Sequence, residues 1–382
     1  MTDKFIPYGR QWIDDDDIQA VIDVLKSDYL TTGPKIKEFE ESFADYVGAK
    51  YAVAIANGTA ALHAACFAAG IKEGDEVITS PMTFAATANS VLYMEGKPIF
   101  ADIDPQTYNI SPEEIKKKIT EMTAAVIPVH YTGQPCDLDE IYRIARENNL
   151  TVIEDAAHAL GATYKGEKIG NCRYSDMTIF SFHPVKHITT GEGGMITTNS
   201  EEYYNKLIQF RTHGITKDTD IFIKTADGPW YHEQQFLGYN YRMTDIQAAF
   251  GISQLKKSDG FLERRREIAG IYNRELADID WLKLPFQKDD RESSWHLYVV
   301  QVDEEQLGKS RKEVFEYLRD KGLGVQVHYI PVYWHSYYQK LGYCKGICPV
   351  AEGFYKRTIT LPLYPRMSDS DVEYVIEVLK GL

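Results

Sequence analysis

The chain has 382 residues, 44% of them hydrophobic and 26% charged, with a formal charge of −14 at pH 7. That length exceeds one small core and suggests two structural units, while the negative charge and the scattered lysines and arginines argue against a nucleic-acid surface. No apolar run is long enough to span a bilayer, and the opening "MTDKFIPYGRQWIDDDD" has no apolar signal-peptide core, so a cytoplasmic protein is expected.

Between about residues 50 and 200, short apolar runs alternate with helical patterns. "YAVAIA", "DEVITS", "KPIFADI", "AAVIPVHY", "LTVIED", "MTIFSF" and "GMITTN" read as strands. Ser111-Pro112 followed by Glu114 reads as a capping box with proline at the first helical position, and Asp137 with Glu140 as the same device with an acidic cap. This alternation predicts an α/β protein with a largely parallel sheet covered on both faces. Residues 213–240 hold Gly, Asp, Pro and several aromatics, as a long functional loop does. After about residue 260, "FLERRREIAGIYNREL", "WHLYVVQV", "SRKEVFEYLRDKG", "VQVHYI" and a last helix from Ser370 read as a smaller unit. The expected organisation is a large domain over residues 1–260, with an N-terminal arm, and a small α+β domain over 261–382. Five cysteines, at 66, 136, 172, 344 and 348, suggest no disulfide framework. Cys344 and Cys348 have no matching Cys/His pair nearby and read as ordinary thiols, so no metal site is expected.

Sheets of this kind bind ligands beyond the C-terminal ends of their strands, and three unusual pieces fall there. In "YAVAIANGTAALHAACFAAG" a strand ends at Asn57-Gly58 and an alanine-rich helix begins at Thr59. Free N–H groups and a hydroxyl make a phosphate cup, although a plain strand-to-helix turn has the same sequence. In "LTVIEDAAHALGATY" Asp155 ends an apolar strand, where a charge needs a partner such as a protonated ring nitrogen, or serves only as a helix cap. His158 follows three residues later. In "FSFHPVKHITTGEGGM" Ser181 ends a strand and Lys186 arrives before a glycine-rich turn. A lone lysine there is a solvated one; a desolvated lysine forms a Schiff base with an aldehyde. Together, a phosphate cup, a carboxylate for a ring nitrogen and a Schiff-base lysine meet the requirements of pyridoxal 5'-phosphate (PLP).

At these motifs the sequence resembles the DegT family of sugar-nucleotide aminotransferases. "NGTAALHAA", "VIEDAAHALGA", "FSFHPVKHITTGEGGM" and "GYNYRMTDIQAAFGISQL" occur in the family order, and the likeness runs from "LTTGPKIKEFEESFADYVG" to "ITLPLYPRMSDSDVEYVIEVL". The resemblance implies the PLP-dependent transferase fold of type I. It implies that Lys186 carries the coenzyme, that Asp155 pairs with the pyridine nitrogen and that His158 stands near the 3-hydroxyl. It further implies that Phe84 stacks on the ring, that Gly58, Thr59 and Ser181 bind phosphate, and that Asn240 reaches the phosphate of a neighbouring subunit in a homodimer. Some members carry histidine at the lysine position and act as dehydratases; here that position is Lys186, with His187 beside it, so amino transfer is expected.

"DGPWYHEQQFLGYN" and "VHYIPVYWHSYYQKLGY" are similar to segments of the family's pseudaminic-acid branch. That similarity implies transfer from L-glutamate to C4 of a UDP-linked 4-keto-6-deoxy-N-acetylhexosamine (UDP-2-acetamido-2,6-dideoxy-β-L-arabino-hex-4-ulose). Aromatics suit a sugar ring and a uracil. His328 and Tyr329, then Tyr8, Thr31 and Trp230, are the expected substrate contacts, and Arg211 and Arg242 are offered for the glutamate carboxylate. A 4-aminotransferase for another UDP- or dTDP-linked keto sugar is the alternative. A nucleotide-sugar oxidoreductase lacks its G-x-G-x-x-G here, and a non-catalytic PLP-binding regulator lacks a basic helix-turn-helix.

Overall fold

The computed structural model describes residues 5–382. Seven strands make its main sheet: β1 (Tyr51–Ile55), β2 (Glu76–Thr79), β3 (Lys97–Phe100), β4 (Thr123–Ile127), β5 (Thr151–Asp155), β6 (Met177–Ser181) and β7 (Gly194–Thr198). They are the seven apolar runs read from the sequence, in spatial order β1-β7-β6-β5-β4-β2-β3. β7 runs antiparallel to both its neighbours and every other adjacent pair is parallel. β1 and β6 therefore point the same way as β5, and all three end on one edge of the sheet.

The helices that position the site are α1 (Asp15–Leu25), α2 (Pro34–Val47), α3 (Gly58–Ala68), α4 (Ala86–Tyr93), α5 (Pro112–Lys118) and α6 (Leu138–Glu147), followed by α7 (Glu201–Phe210) and α8 (Asp245–Leu255). Side chains alternate across the pleat. Ala52, Ala54 and Val152 join Phe39 and Phe43 of α2 in one core, whereas Val53, Ile55 and Ile153 join Ala61 and Leu62 of α3 in another. Burial on both faces explains why the strands read as continuous apolar runs. The alanines of α3 let that helix lie close against the sheet, bringing its first turn to the ends of β1 and β6.

Ser111 caps α5, accepting from the Glu114 N–H, with Pro112 at the first helical position, but the return bond of the expected capping box is not made, because the Ser111 N–H donates to the Asp102 carbonyl at 3.0 Å. The acidic cap expected at Asp137 does not form. Its carboxylate makes no bond to the first turn of α6 and instead accepts from Lys288 Nζ at 2.8 Å and Arg291 Nη2 at 2.7 Å. Two cations brought in from 150 residues downstream outcompete one exposed backbone N–H.

Beyond α8, α9 (Ser258–Glu275) leads into β8 (Leu282–Lys283), β9 (Tyr298–Val302), α10 (Arg311–Asp320), β10 (Thr358–Leu361) and α11 (Asp369–Lys380). β8, β9 and β10 form an antiparallel sheet in that order. Ile268 and Tyr272 of α9, Leu318 of α10 and Val375 of α11 pack there in a core of their own. Ile6 joins this core and pairs with Leu323, so the start of the described chain packs against it. α11 begins at Asp369, one residue before the expected Ser370, because Ser368 caps it in a box with Asp371. "VQVHYI" is mostly irregular, with a single bridge from Gln326 to Thr360. Within 213–240 two short strands, Ile215–Thr216 and Glu233–Gln234, pair across the loop. The Glu233 carboxylate accepts from the N–H groups of Ile223 and Lys224, tying the excursion down. No helix among the described residues is long and apolar enough to cross a membrane.

Candidate active site

The ends of β1, β5 and β6 open into a cavity of about 750 Å³. Its floor begins at the turn from β1 into α3. Asn57 is the N-cap, and its side chain accepts from the Ala60 N–H at 2.8 Å. Gly58 and Thr59 then occupy the first two helical positions, whose N–H groups have no carbonyl one turn back to bond. A Cβ on Gly58 would stand 2.8 Å from Ser181 Cβ, and one on Gly194 would stand 2.6 Å from the Asn57 carbonyl oxygen. The two glycines let β1, β6 and β7 close up, so Gly58, Thr59 and the Ser181 hydroxyl line one concave corner of the cavity.

Asp155, the last residue of β5, lines the same cavity and is buried. Its Oδ1 accepts from the Ala157 N–H at 3.1 Å and its Oδ2 from Thr87 Oγ1 at 2.7 Å. The first contact is the local turn the sequence allows; the second comes from α4 and has no part in a helix cap. Burial raises the carboxyl above its ordinary range, and the Thr87 and Ala157 donors oppose that rise.

Lys186 follows β6 in a tight turn closed by its N–H to the His183 carbonyl at 2.8 Å. Its side chain reaches into the cavity rather than into solvent. Desolvation lowers the ammonium from 10.5 to about 8, with the Asp155 charge pulling the other way. A buried wall stands alongside. The His158 ring lies 4.3 Å from that of His296, and its Nε2 is 3.1 Å from the Tyr329 hydroxyl. Burial holds His158 well below the usual histidine range, so the ring is neutral, and the same burial pushes the Tyr329 phenol up. Among the described residues, the buried His158 Nδ1 has no hydrogen-bond partner.

Tyr8 and His328 also line the cavity, with ring centroids 5.3 Å apart. His328 Nδ1 is held by Thr360 Oγ1 at 2.8 Å, and burial lowers the ring to about 3. Phe84 is 63% exposed on the cavity wall, 6.4 Å from the Tyr329 ring, which sets aside a role as core packing. Three expected residues do not line this cavity within one chain. The exposed Asn240 pairs with Thr212 and Thr31 with Thr244, while Trp230, 72% exposed, sits on the 213–240 loop. Neither arginine offered for glutamate lines it either; Arg211 is committed to a part-buried ion pair with Glu40 and to the Ala54 carbonyl.

Sequence reading missed Thr83, Thr87, Tyr93, His296 and Tyr241, the last two far from Phe84 in sequence, and all on the cavity wall. Thr87 lies three residues past Phe84 in "PMTFAATANS", in the first turn of α4, and its N–H donates to the Phe84 carbonyl, so the segment that leads into the helix presents the ring and the helix presents the hydroxyl. His296 was hidden inside "WHLYVVQV", which reads as the beginning of a strand.

A phosphorylated heteroaromatic aldehyde fits these groups. The cup provides anion donors without a lysine, Asp155 provides a buried acid for a ring nitrogen, and Lys186 provides an amine kept partly neutral by desolvation. Comparison with known proteins agrees. A model of the DegT/DnrJ/EryC1/StrS aminotransferase family matches residues 11–380. The chain is 47% identical to the spore coat polysaccharide biosynthesis protein SpsC of Bacillus subtilis, covering 99% of this chain and 97% of that one. PseC of Helicobacter pylori, an aminotransferase of pseudaminic-acid biosynthesis, superposes with a TM-score of 0.91 at 33% identity, covering 99% of both chains. Spr1654 of Streptococcus pneumoniae, assigned as a sugar aminotransferase and solved in its PLP form, does so with a TM-score of 0.91 at 31% identity, over 99% of this chain and 98% of that one. The chain belongs to the DegT/DnrJ/EryC1/StrS family and is a PLP-dependent sugar aminotransferase.

Proposed function

We propose that the enzyme moves an amino group from L-glutamate to C4 of a UDP-linked 4-keto-6-deoxy-N-acetylhexosamine, with UDP-2-acetamido-2,6-dideoxy-β-L-arabino-hex-4-ulose as its substrate, and that it does so as a homodimer. The observation that carries the chemistry is the meeting of Lys186, Asp155 and the Gly58–Thr59–Ser181 cup in one cavity. Bound there, PLP supplies an electron sink for the carbanion at the amine-bearing carbon. Lys186 would hold the coenzyme's aldehyde carbon at rest. Once displaced, its Nζ carries the proton to and from the amine-bearing carbon, a task suited to an amine titrating near 8. Asp155 would hold the proton on a ring nitrogen placed there, and Phe84 would supply an aromatic wall for the ring. The cup holds the phosphate, and the wall of His158, His296 and Tyr329 keeps water from the far side. His328, Tyr329 and Tyr8 meet the sugar, where aromatic faces and polar edges match a pyranose. Asn240, Thr31 and Trp230, all on the outside of one chain, act on the cavity of the second subunit.

The pseudaminic-acid substrate is supported by the likeness to PseC and by the two aromatic segments. A second reading, amination of another UDP- or dTDP-linked 4-keto sugar for a surface polysaccharide, is favoured by the higher identity to SpsC. Incubating the purified enzyme with glutamate and a panel of keto sugar nucleotides separates the two. Preferential turnover of the L-arabino-hex-4-ulose supports the first, and turnover of dTDP-linked or non-acetylated sugars instead overturns it. A coloured native protein whose long-wavelength band disappears in Lys186→Ala is expected; a colourless one that takes up no added PLP would overturn the chemistry itself.

A further inference from the structure

Among the described residues, the buried carboxylate of Asp155 has one side-chain hydrogen-bond partner, and it comes from a different element. Thr87 Oγ1 stands 2.7 Å from Asp155 Oδ2, and Thr83 Oγ1 stands 2.7 Å from Thr87 Oγ1. All three side chains are buried: Thr83 is 3%, Thr87 1% and Asp155 5% exposed. The direction of these bonds follows from counting protons. An ionised carboxylate only accepts, so the single Thr87 proton goes to Oδ2, and Thr87 must then accept from Thr83. Two hydroxyls thus line up with their dipoles directed at the carboxylate. If a protonated Oδ2 donated to Thr87, both hydroxyls would have to turn over.

We propose that Thr87, itself oriented by Thr83, is the positioning residue of Asp155: its hydroxyl fixes the rotamer of the carboxylate and keeps it charged where the cavity presents it to a ring nitrogen. The inference rests on the coenzyme reading above and adds to it a residue that neither the sequence motifs nor the family likeness assigned. The geometry also explains the placement of α4. Phe84, which faces the cavity, lies just before α4, and its carbonyl accepts from the N–H of Thr87, which faces the acid, at 3.2 Å, so a single backbone segment sets the ring-facing wall and the charge below it. Burial works against the charge of Asp155, whereas Thr87 and the Ala157 N–H work for it. Of those two donors only the hydroxyl is open to mutation.

The test uses Thr87→Val, nearly the same shape without the hydroxyl, and Thr87→Ser, which keeps it. In the coenzyme-free full chain the Asp155 carboxyl is followed by carbon-13 NMR. Thr87→Val is expected to raise its midpoint by about one pH unit, a tenfold change in the ratio of charged to neutral acid, while Thr87→Ser stays close to wild type. In the holoenzyme Thr87→Val is expected to lose about tenfold in PLP affinity and about tenfold in kcat with KM little changed, and Thr87→Ser to restore both. Thr83→Val, which removes only the outer donor, shifts the same quantities in the same direction by less, and it serves as the readout if Thr87→Val fails to fold. Wild-type carboxyl titration and PLP affinity in Thr87→Val, with only the melting temperature lowered, would reduce Thr87 to a buried packing residue and overturn the inference. Failure of the wild-type protein to bind PLP would instead sink the coenzyme reading, and the carboxyl titration would still decide whether Thr87 governs Asp155.

Discussion

An ordinary lysine with its midpoint at 10.5 is neutral in only about one molecule in 3,000 at pH 7. Lys186, lowered to about 8, is neutral in about one in ten, a gain of roughly 300-fold in the form that attacks an aldehyde. The gain comes from desolvation, because the neighbouring Asp155 charge opposes it. If the fold prepares this amine in advance, the rate at which coenzyme-free enzyme captures PLP rises about tenfold per pH unit below 8 and then levels off. Stopped-flow absorbance at a series of pH values reads this directly. Asp155→Asn removes the charge that favours the ammonium, so the break moves to lower pH. A capture rate that keeps climbing through pH 10 would show that Lys186 is solvated and would refute the argument from burial.

The same lysine affects stability. Its folded midpoint lies below its unfolded one, so between about 8 and 10.5 the unfolded chain binds the proton that the native chain does not, and stability rises with pH across that window. Below about 8 the full cost applies, about 3 kcal/mol, so coenzyme-free Lys186→Met should be more stable than wild type by up to that amount at pH 7 and by little at pH 10.5, as urea unfolding at the two pH values would show. Gly58→Val drives a side chain into Ser181, 2.8 Å from where the new Cβ would sit, and should weaken PLP binding by at least tenfold while far-UV dichroism stays native; unchanged affinity would remove Gly58 from the cup. Arg265 is 1% exposed and its Nη1 donates to the carbonyls of Trp295, His296 and Leu363, so Arg265→Ala should cost about 3 kcal/mol in chemical denaturation by leaving those carbonyls unpaired. Tyr329→Phe removes the hydroxyl 3.1 Å from His158 Nε2 and should lower kcat with the melting temperature near wild type; equal kcat would mean that the contact serves packing alone.

What could be read from the chain and what could not divide along a physical line. Strands buried on both faces announce themselves as apolar runs, so all seven members of the main sheet stood out, including β7, whose antiparallel direction the runs themselves do not encode. Residues that act at strand ends were visible for a related reason: a charge such as Asp155 or Lys186 beside a buried strand conflicts with its surroundings unless something answers it. Thr83 and Thr87 carry no such conflict. A threonine on a helix is satisfied by many arrangements, and only the three-dimensional approach of α4 to the end of β5 turns this one into a donor for the acid. His296 escaped because its nearest functional neighbour, His158, is more than a hundred residues away in sequence and 4.3 Å away in space. Asp137 shows the converse error, a correct local device displaced by cations that sequence distance concealed. Groups that disagree with their local context are therefore legible one chain segment at a time, whereas those that support them become visible only when the fold closes. The half of this site that tunes Asp155 and His158 belongs to the second kind.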